Sequence, residues 1–220
     1  AGENGIVLAI DGSAPVAAAW GRIGPLIPHI CKRISDCRPS YRTRIALVVY
    51  GPTHAPLLLY RFFADAQSVL LALTEAARHG CLSPHAPAAT ARDKTAALDA
   101  LVAALDMFDA LAASSQVASR PCLKHVIHIA AAPPDAACHP STNTRPELDD
   151  LTWLTLPAAF REREIHYSSV QPARRDFGPL GEFQAKIATD PVKPWFPHDP
   201  SLLIRISGLT APDPPPARTP

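Results

Sequence analysis

The sequence GIVLAIDGSAP, residues 5–15, decides the fold class of this protein. Its first six residues are apolar or glycine, and such a continuous run is typical of a β-strand that is buried on both faces. Strands of this kind belong to parallel sheets, because helices cover both faces of such sheets. Asp11 and Ser13 come directly after the run, so a carboxylate and a hydroxyl stand at the carboxyl end of the strand. The stretch therefore predicts a central strand with a candidate site at its end.

Five more apolar runs predict the other strands, at residues 44–50, 57–63, 122–130, 165–170 and 201–206. The pattern between them predicts helices over residues 16–22, 26–34 and 66–78, and a long helix that begins at Thr95. It also predicts a helix over 148–163 that is interrupted or capped near Pro157, and a short helix, or part of one, over 177–187. Only the six residues GPTHAP, 51–56, separate the second strand from the third. Because this link is too short for a parallel crossover, these two strands are predicted to form an antiparallel hairpin.

The alternation of strands and helices predicts an α/β fold: a doubly wound, mostly parallel six-stranded sheet with helices on both faces and one antiparallel strand. Residues 1–208 are expected to form this domain, and the proline-rich residues 209–220 a tail or the beginning of a linker. In such sheets the ligand crevice lies at the carboxyl ends of the strands, where the strand order reverses. That point is predicted between the first and fourth strands, beside Asp11 and residues 130–132.

The composition restricts the class of partner. Lys and Arg number 21 against 20 Asp and Glu, a formal net charge of +1, whereas proteins that bind nucleic acid through charge carry a marked basic excess. No apolar run approaches the roughly 18 residues that a membrane span requires. The five cysteines have no CxxC spacing and predict the reduced thiols of an intracellular protein. Direct binding to nucleic acid or to a membrane is therefore not expected.

A metal site at Asp11 would be incomplete. A hard cation such as Mg²⁺ needs about six oxygen ligands. Asp11, Ser13 and Thr95 supply three, but Pro15 occupies the position of a further hydroxyl, and residues 130–132 are all alanine. The pattern indicates the remnant of a metal site, so no metal ion and no cofactor is expected. Asp11 and Ser13 are instead expected to cap the first helix.

No set of residues predicts catalysis. His125 and His128 lie three residues apart on a predicted strand, so they point to opposite faces and cannot share a metal ion. Five other side chains lack the spacing of a zinc site and the arrangement of a nucleophile with its base: His79, Cys81, His85, Cys138 and His139. The motifs G-x-S-x-G and G-x-G-x-x-G and the P-loop are absent from the sequence. An enzyme is therefore not expected.

Several segments within residues 5–190 resemble a von Willebrand factor type A domain and, within that superfamily, the amino-terminal domain of the Mediator complex subunit 25 family. They are DGS at 11–13, LIPHI at 26–30, IALVVY at 45–50 with RFF at 61–63, LVAALDMFD at 101–109, AAPPDA at 131–136 and REREIHYSSVQP at 161–172. In that family too the metal motif is degenerate, in agreement with Pro15 and the alanines at 130–132. The proline-rich loops and the extra strand with its links, at about residues 193–209, depart from the family pattern.

The resemblance implies a non-enzymatic docking module. In the family this domain attaches its subunit to the rest of Mediator, the nuclear coactivator that connects activators with RNA polymerase II. The expected partners are other Mediator subunits directly, and RNA polymerase II and activators indirectly. The loops at residues 81–92 and 133–146 are candidate contact surfaces, since loops on a rigid sheet often carry recognition.

Two other classes of protein are alternatives. The first is a metal-dependent, Mg²⁺-using ligand-binding von Willebrand factor A domain of another intracellular complex, in which a partner carboxylate completes the coordination of the ion. It would require oxygen ligands at Pro15 and near Ala131. The second is an α/β hydrolase or a nucleotide-binding enzyme, which would require a nucleophile elbow or a glycine-rich loop after the first strand.

Overall fold

The computed structural model describes residues 2–54, 57–78, 94–114, 120–137, 139–141, 143–173, 177–187 and 191–209, with the backbone alone at residues 57 and 58. Six strands lie within these residues and form one sheet: β1 (Glu3–Asp11), β2 (Arg42–Tyr50), β3 (Leu57–Asp65), β4 (Cys122–Ile129), β5 (Ile165–Pro172) and β6 (Leu202–Arg205). Their order is β3-β2-β1-β4-β5-β6. The apolar run therefore lies at the centre of the sheet, as predicted, and all nine residues of β1 are buried.

The strand directions confirm a mostly parallel sheet. β1 is parallel to both β2 and β4, and β4 is parallel to β5. β3 is antiparallel to β2, as the short link at 51–56 predicted. The expectation of a single antiparallel strand is incomplete, because β6 is antiparallel to β5. Both edge strands therefore run against the four central ones.

The direction of β6 follows from the path of residues 191–201. Val192 N donates a hydrogen bond to Ile206 O (2.8 Å) at one end of β6, and Ala173 N donates to Ser201 O (2.8 Å) at the other end. This segment therefore follows the edge of the sheet to its carboxyl end before β6 begins, and β6 then runs back. The sequence shows these residues only as a proline-rich link, so it gave no sign of the reversal.

Six α-helices lie within the described residues: α1 (Ala14–Ile23), α2 (Leu26–Cys37), α3 (Ala66–Arg78), α4 (Ala97–Ala113), α5 (Leu156–Glu162) and α6 (Pro179–Ile187). Three of them begin later than predicted, including α6, which begins at Pro179 and not at residue 177. The helix expected from Thr95 begins at Ala97, and the region 148–163 is α-helical only over α5, after a 3₁₀ turn at Pro146–Leu148. Pro157 lies in the first turn of α5, where a backbone N–H has no partner within the helix.

Helices cover both faces of the sheet, as predicted. α4, α5 and α6 pack on one face, towards which Val7 and Ala9 of β1 point. α1, α2 and α3 pack on the other face, towards which Ile6, Leu8 and Ile10 point. This alternation explains why β1 is apolar without interruption, since each successive side chain enters one of two cores.

The packed part of the domain extends one residue beyond the predicted boundary at 208. Leu209 is 8% exposed and belongs to the core on the α1–α3 face. Residues 210–220, which hold most of the predicted proline-rich tail, lie outside the described residues. No helix in the described part of the chain is long and apolar enough to cross a membrane.

Candidate functional site at the carboxyl ends of β1 and β4

The carboxyl ends of β1 and β4 lie side by side where the strand order reverses, as predicted. Asp11 is the last residue of β1 and is 0% exposed. Its Oδ1 accepts a hydrogen bond from Ser13 N (2.9 Å), and its Oδ2 accepts from Ala131 N (3.0 Å) and Ala132 N (2.9 Å). Burial raises the pKa of Asp11, while the Ala131 N–H, the Ser13 side chain and the N–H groups of Ala132 and Ser13 oppose the rise by stabilising the carboxylate. The carboxyl group therefore joins the end of β1 to the segment after β4.

Ser13 stands at the amino-terminal cap position of α1 but does not cap the helix with its side chain. Its Oγ is buried and forms no geometrically well-formed hydrogen bond with a described residue, although it lies close enough to the Asp11 carboxylate to help lower the pKa of that group. The expectation that Asp11 and Ser13 cap the first helix is therefore wrong for both side chains. Asp11 lies before the cap position, and its carboxylate binds main-chain N–H groups at 13, 131 and 132 instead.

Thr95 also binds the segment after β4 and is not part of a helix. Its N–H donates to Pro133 O (3.0 Å), and its hydroxyl donates to the same carbonyl (3.3 Å). Asp135 N donates to Thr95 O (2.9 Å), and Thr95 forms an isolated bridge with Pro52, just after β2. Thr95 thus connects the ends of β2 and β4, so both it and Asp11 hold this edge of the sheet together.

The residues around Asp11 do not fit a divalent cation. The described residues contain no group of three or more His, Cys, Asp or Glu side chains arranged to hold a metal ion. Pro15 and the alanines at 130–132 have no side-chain oxygen with which to complete a shell of about six ligands. A bound Mg²⁺ would also compete with the main-chain donors that the Asp11 carboxylate already binds. The Asp11 carboxylate therefore holds main-chain segments together and does not serve as a metal ligand.

A crevice of about 770 Å³ opens beside this edge, between α1, the ends of β4 and β5, and the beginning of β6. Most of its lining is alkyl or proline, including Pro15, Ala19, Ile23, Ala131, Pro172 and Leu202. Its charged residue is Arg22, whose Nη1 donates to Asp199 Oδ2 (2.8 Å) and to Ser201 Oγ (3.2 Å). The crevice therefore offers apolar surface and a cation that is already paired.

A row of buried polar side chains lies on the α4–α6 face of the sheet, and its first member, Tyr50, is the register partner of Asp11. The hydroxyl of Tyr50 is 2.6 Å from His128 Nε2, and His128 Nδ1 is 2.6 Å from the hydroxyl of Tyr167. Burial lowers the pKa of His128 to about 3, so its ring is neutral at pH 7. A neutral imidazole has one donor and one acceptor nitrogen, so one tyrosine donates to the ring and the other accepts from it.

This row of hydrogen-bonded side chains continues to the edge of the sheet at β6. Gln184 Nε2 of α6 lies 3.5 Å from the Tyr167 hydroxyl and donates to Gln171 Oε1 (3.1 Å). Gln184 Oε1 accepts from Arg205 Nη1 of β6 (2.7 Å). Sequence reasoning missed this row of hydrogen-bonded side chains, because it forms only when side chains from β2, β4 and β5 lie next to one another. The local signal was the presence of polar aromatic residues in otherwise apolar strands.

The loop at 133–146, a predicted contact surface, is fixed to α4 by two buried carboxylates. Asp99 Oδ1 accepts from Ser141 N (2.7 Å), and Asp106 Oδ2 accepts from Thr144 N (2.8 Å). Asp106 also pairs with Arg145 (3.2 Å), and both aspartates are at most 3% exposed. The loop therefore presents an ordered surface over its described residues. The other predicted contact loop, 81–92, lies outside the described residues.

The structure separates the remaining candidate residues. His125 points away from His128, as predicted: His128 contacts tyrosines on the α4–α6 face, and His125 lines a cavity beside α2. His139 is exposed. Four candidates lie outside the described residues: His79, Cys81, His85 and Cys138.

Neither a protein-family model nor a curated protein sequence matches this chain. Its class is accordingly defined by the fold, a doubly wound α/β domain with a mixed six-stranded sheet and helices on both faces. This architecture is consistent with a von Willebrand factor A-like fold.

Proposed function

We propose that this domain is a non-catalytic protein-interaction module that tethers a transcription coactivator subunit to the Mediator complex. The observation that carries the proposal is the role of Asp11. Its carboxylate stands where a doubly wound fold places its functional groups, and it is bound to main-chain N–H groups at 13, 131 and 132. The domain then acts through its surface and not through a metal ion. The ordered segments that resemble the Mediator subunit 25 family supply the identity of the partner.

The crevice beside Asp11 is the first surface to test. Its alkyl and proline side chains favour contact with a protein, because covering apolar surface contributes about 25 cal/mol per Å². The neighbouring loop at 133–146 is held by Asp99 and Asp106, so a partner that contacts it would lose little affinity to loop ordering.

Neither the hydroxyl that lines this crevice nor the buried histidine on the other face of β4 suits a hydrolase or a nucleotide-binding enzyme. The Ser201 hydroxyl accepts a hydrogen bond from Arg22. His128 is 0% exposed and both of its ring nitrogens bind tyrosine hydroxyls, so it is not positioned to accept a proton from a substrate. These contacts favour docking over catalysis.

In this proposal the direct partners are other Mediator subunits, and the domain reaches RNA polymerase II and activators through them. The domain works in the nucleus without direct contact to nucleic acid or to a membrane. A net charge of +1 supports the absence of nucleic-acid contact, because phosphate binding draws on concentrated Lys and Arg.

Co-purification from nuclear extract tests the proposal. The tagged chain should capture Mediator subunits, identified by mass spectrometry, and Ala19→Arg should abolish the capture by placing a long charged side chain in the crevice. Ala158→Arg is the matched control, because Ala158 is an exposed helical alanine on the opposite face of the sheet. It should leave the capture unchanged.

A deletion tests the tethering function separately from the choice of the crevice as the contact surface. Removal of residues 1–208 from the full-length protein should release it from Mediator. If the deleted protein still assembles with Mediator, the tethering function is wrong. If the deletion releases the protein but Ala19→Arg does not, the function stands and a different face of the domain makes the contact.

A further inference from the structure

A second cavity, of about 590 Å³, lies at the opposite end of the sheet, at the amino ends of the parallel strands. The last turn of α2, the beginnings of β4 and β5 and the residues after β6 surround it. Its volume is within the roughly 300–1,000 Å³ that is typical of small-molecule sites. The polar side chains of its lining are Arg33, Asp36, Cys37, Arg38, His125 and His166.

Two imidazoles form one wall of this cavity. His125 and His166 are register partners on β4 and β5, and their ring centroids are 5.1 Å apart. His125 is 3% exposed. Neither ring has a hydrogen bond to a residue in the part of the chain that the structure describes. Buried polar groups are normally hydrogen-bonded, so the buried ring of His125, together with the half-buried ring of His166, presents nitrogen atoms to which a bound molecule can supply the partner.

Both rings are neutral hydrogen-bonding groups at pH 7. Burial and, to a smaller extent, the neighbouring His166 together lower the pKa of His125 to about 3. Burial also lowers the pKa of His166, while the charge of Glu164 acts in the opposite sense. A neutral imidazole retains one N–H donor, so the pair offers two donors to the cavity.

Gly208 fixes the position of the second imidazole. Its φ of 72° lies in the left-handed region, which favours glycine. A Cβ atom at this residue would lie 2.3 Å from the ring of His166. Glycine is therefore needed for the chain after β6 to pass directly against that ring, and the imidazole is held in place at the cavity wall.

The charged side chains around the cavity favour an anion. Arg33 and Arg38 line it on the α2 side. The carboxylate of Asp36 pairs with Lys32 (2.6 Å), which offsets its negative charge. The Arg38 guanidinium is exposed, and within the described residues it donates only a long hydrogen bond, to Cys37 O (3.5 Å), so most of its donors face solvent.

We propose that this cavity binds a small organic anion, whose carboxylate or phosphate oxygens lie between the Arg38 guanidinium and the N–H groups of His125 and His166. The apolar side chains of Leu123 and Leu209 contact the rest of the ligand. The site lies at the other end of the sheet from the Asp11 crevice and is independent of the tethering function.

Side-chain imidazole spectra of the ¹⁵N-labelled chain test this site directly. Three probes share a flat apolar ring: benzoate and phenyl phosphate carry an oxyanion, and benzyl alcohol is neutral. Either oxyanion should shift the His125 and His166 signals with a dissociation constant of about 1 mM, as expected for fragments of this size. Benzyl alcohol should bind at least about tenfold more weakly, because it lacks a charge-assisted hydrogen bond. Comparison of benzoate with phenyl phosphate, and with inorganic phosphate, identifies the preferred oxyanion.

Two variants locate the bound anion. Arg38→Gln should weaken binding of the better probe about tenfold by removing a charged donor. Arg61→Gln, at an exposed arginine of the distant edge strand β3, is the matched control and should not change it. Gly208→Ala should weaken binding more than tenfold by displacing His166, with the far-ultraviolet circular dichroism spectrum confirming that the variant is folded.

The pKa of His166 provides a second readout. An anion beside the ring stabilises its protonated form, so the pKa should rise when the probe is bound, in the presence of Arg33, Asp36, Arg38 and Glu164. The proposal is overturned if benzyl alcohol binds as tightly as the oxyanions. It is also overturned if none of the probes shifts either imidazole at about 10 mM, ten times the expected dissociation constant, or if Arg38→Gln binds as well as Arg61→Gln.

Discussion

His125 and His128 lie three residues apart on β4 and are both almost completely buried, yet they have different partners on the two faces of the strand. On the α4–α6 face, His128 is held between the hydroxyls of Tyr50 and Tyr167. On the α1–α3 face, His125 lies beside His166 at a cavity, and among the described residues it has a ring contact in place of hydrogen bonds. Burial lowers the pKa of both rings to about 3, so this difference in partners is not a difference in charge.

The comparison separates polar groups that maintain the fold from polar groups that can serve a ligand. A buried group with partners on both sides contributes to stability, and its loss leaves those partners unsatisfied. A buried group that faces a cavity contributes little to stability, because no partner in the protein depends on it. Asp11 belongs with His128 by this criterion, although its position at the strand end resembles that of a functional carboxylate.

Asp11→Ala should give the largest effect. It leaves three buried or partly buried N–H groups without an acceptor, at 13, 131 and 132, and should lower the free energy of unfolding by roughly 3 kcal/mol or more. Urea denaturation of the wild type and the variant measures this loss. A loss below about 1 kcal/mol would contradict the anchoring role, because it would be no larger than the loss of a helix cap. A rise in the melting temperature of the wild type with millimolar Mg²⁺ would instead favour the metal-dependent alternative.

The two histidines of β4 provide a matched pair. His128→Phe should cost roughly 2–3 kcal/mol of unfolding free energy, because the Tyr50 and Tyr167 hydroxyls lose their common partner. His125→Phe should cost no more than about 0.5 kcal/mol, since it leaves no hydrogen-bonding group of the described residues unpaired. Both are measured by urea denaturation at pH 7. An equal loss of unfolding free energy in the two variants would show that the contribution of these side chains to stability depends on burial alone and not on their hydrogen bonds.

The stability of the domain should decrease in acid. The pKa of His128 is about 3 in the folded protein against 6.5 for an unperturbed histidine, so between these values the unfolded chain binds more protons. The stabilisation is complete above about pH 6.5 and is lost as the pH falls towards 3, at up to about 1.4 kcal/mol per pH unit for each such histidine. Urea denaturation between pH 6 and 4 should show a smaller slope in His128→Phe.

Tyr50→Phe is the control for this slope. It removes a hydroxyl from the same row of buried polar side chains but keeps the histidine, so it should lower stability and leave the pH dependence close to that of the wild type. If His128→Phe keeps the full slope, the proton uptake belongs to other groups.

Ser13→Ala should give the smallest effect. The Ser13 hydroxyl lies near the Asp11 carboxylate but forms no geometrically well-formed hydrogen bond with a described residue, so its removal should change the free energy of unfolding by less than about 0.5 kcal/mol. The loss of a working helix cap would cost about 1 kcal/mol instead. Thermal or urea denaturation of Ser13→Ala and Asp11→Ala under the same conditions would therefore show whether the Asp11 carboxylate alone stabilises this edge of the sheet.

Local patterns predicted the parts of the fold that depend on local causes. The continuous apolar run of β1 indicated a strand with a core on each face, and the short link at 51–56 dictated the antiparallel pairing of β3. The direction of β6 escaped prediction, because it depends on hydrogen bonds between residues 173 and 201 and between 192 and 206. The start of α4 escaped for a similar reason, since Thr95 pairs with Pro52 and Pro134 instead of entering the helix.

The sequence by itself determined the class of the fold and the place of the candidate site. Apolar periodicity and link lengths fix which strands are central, and the reversal of strand order then places Asp11 beside the end of β4. Only the tertiary structure decided what the polar side chains do. Apart from Ser13 N, the hydrogen-bond partners of Asp11 and His128 are 39 to 121 residues distant in the chain, such as Ala132 N and the Tyr167 hydroxyl. Hydrogen bonds act over about 3 Å, so residue type and spacing along the chain do not define them.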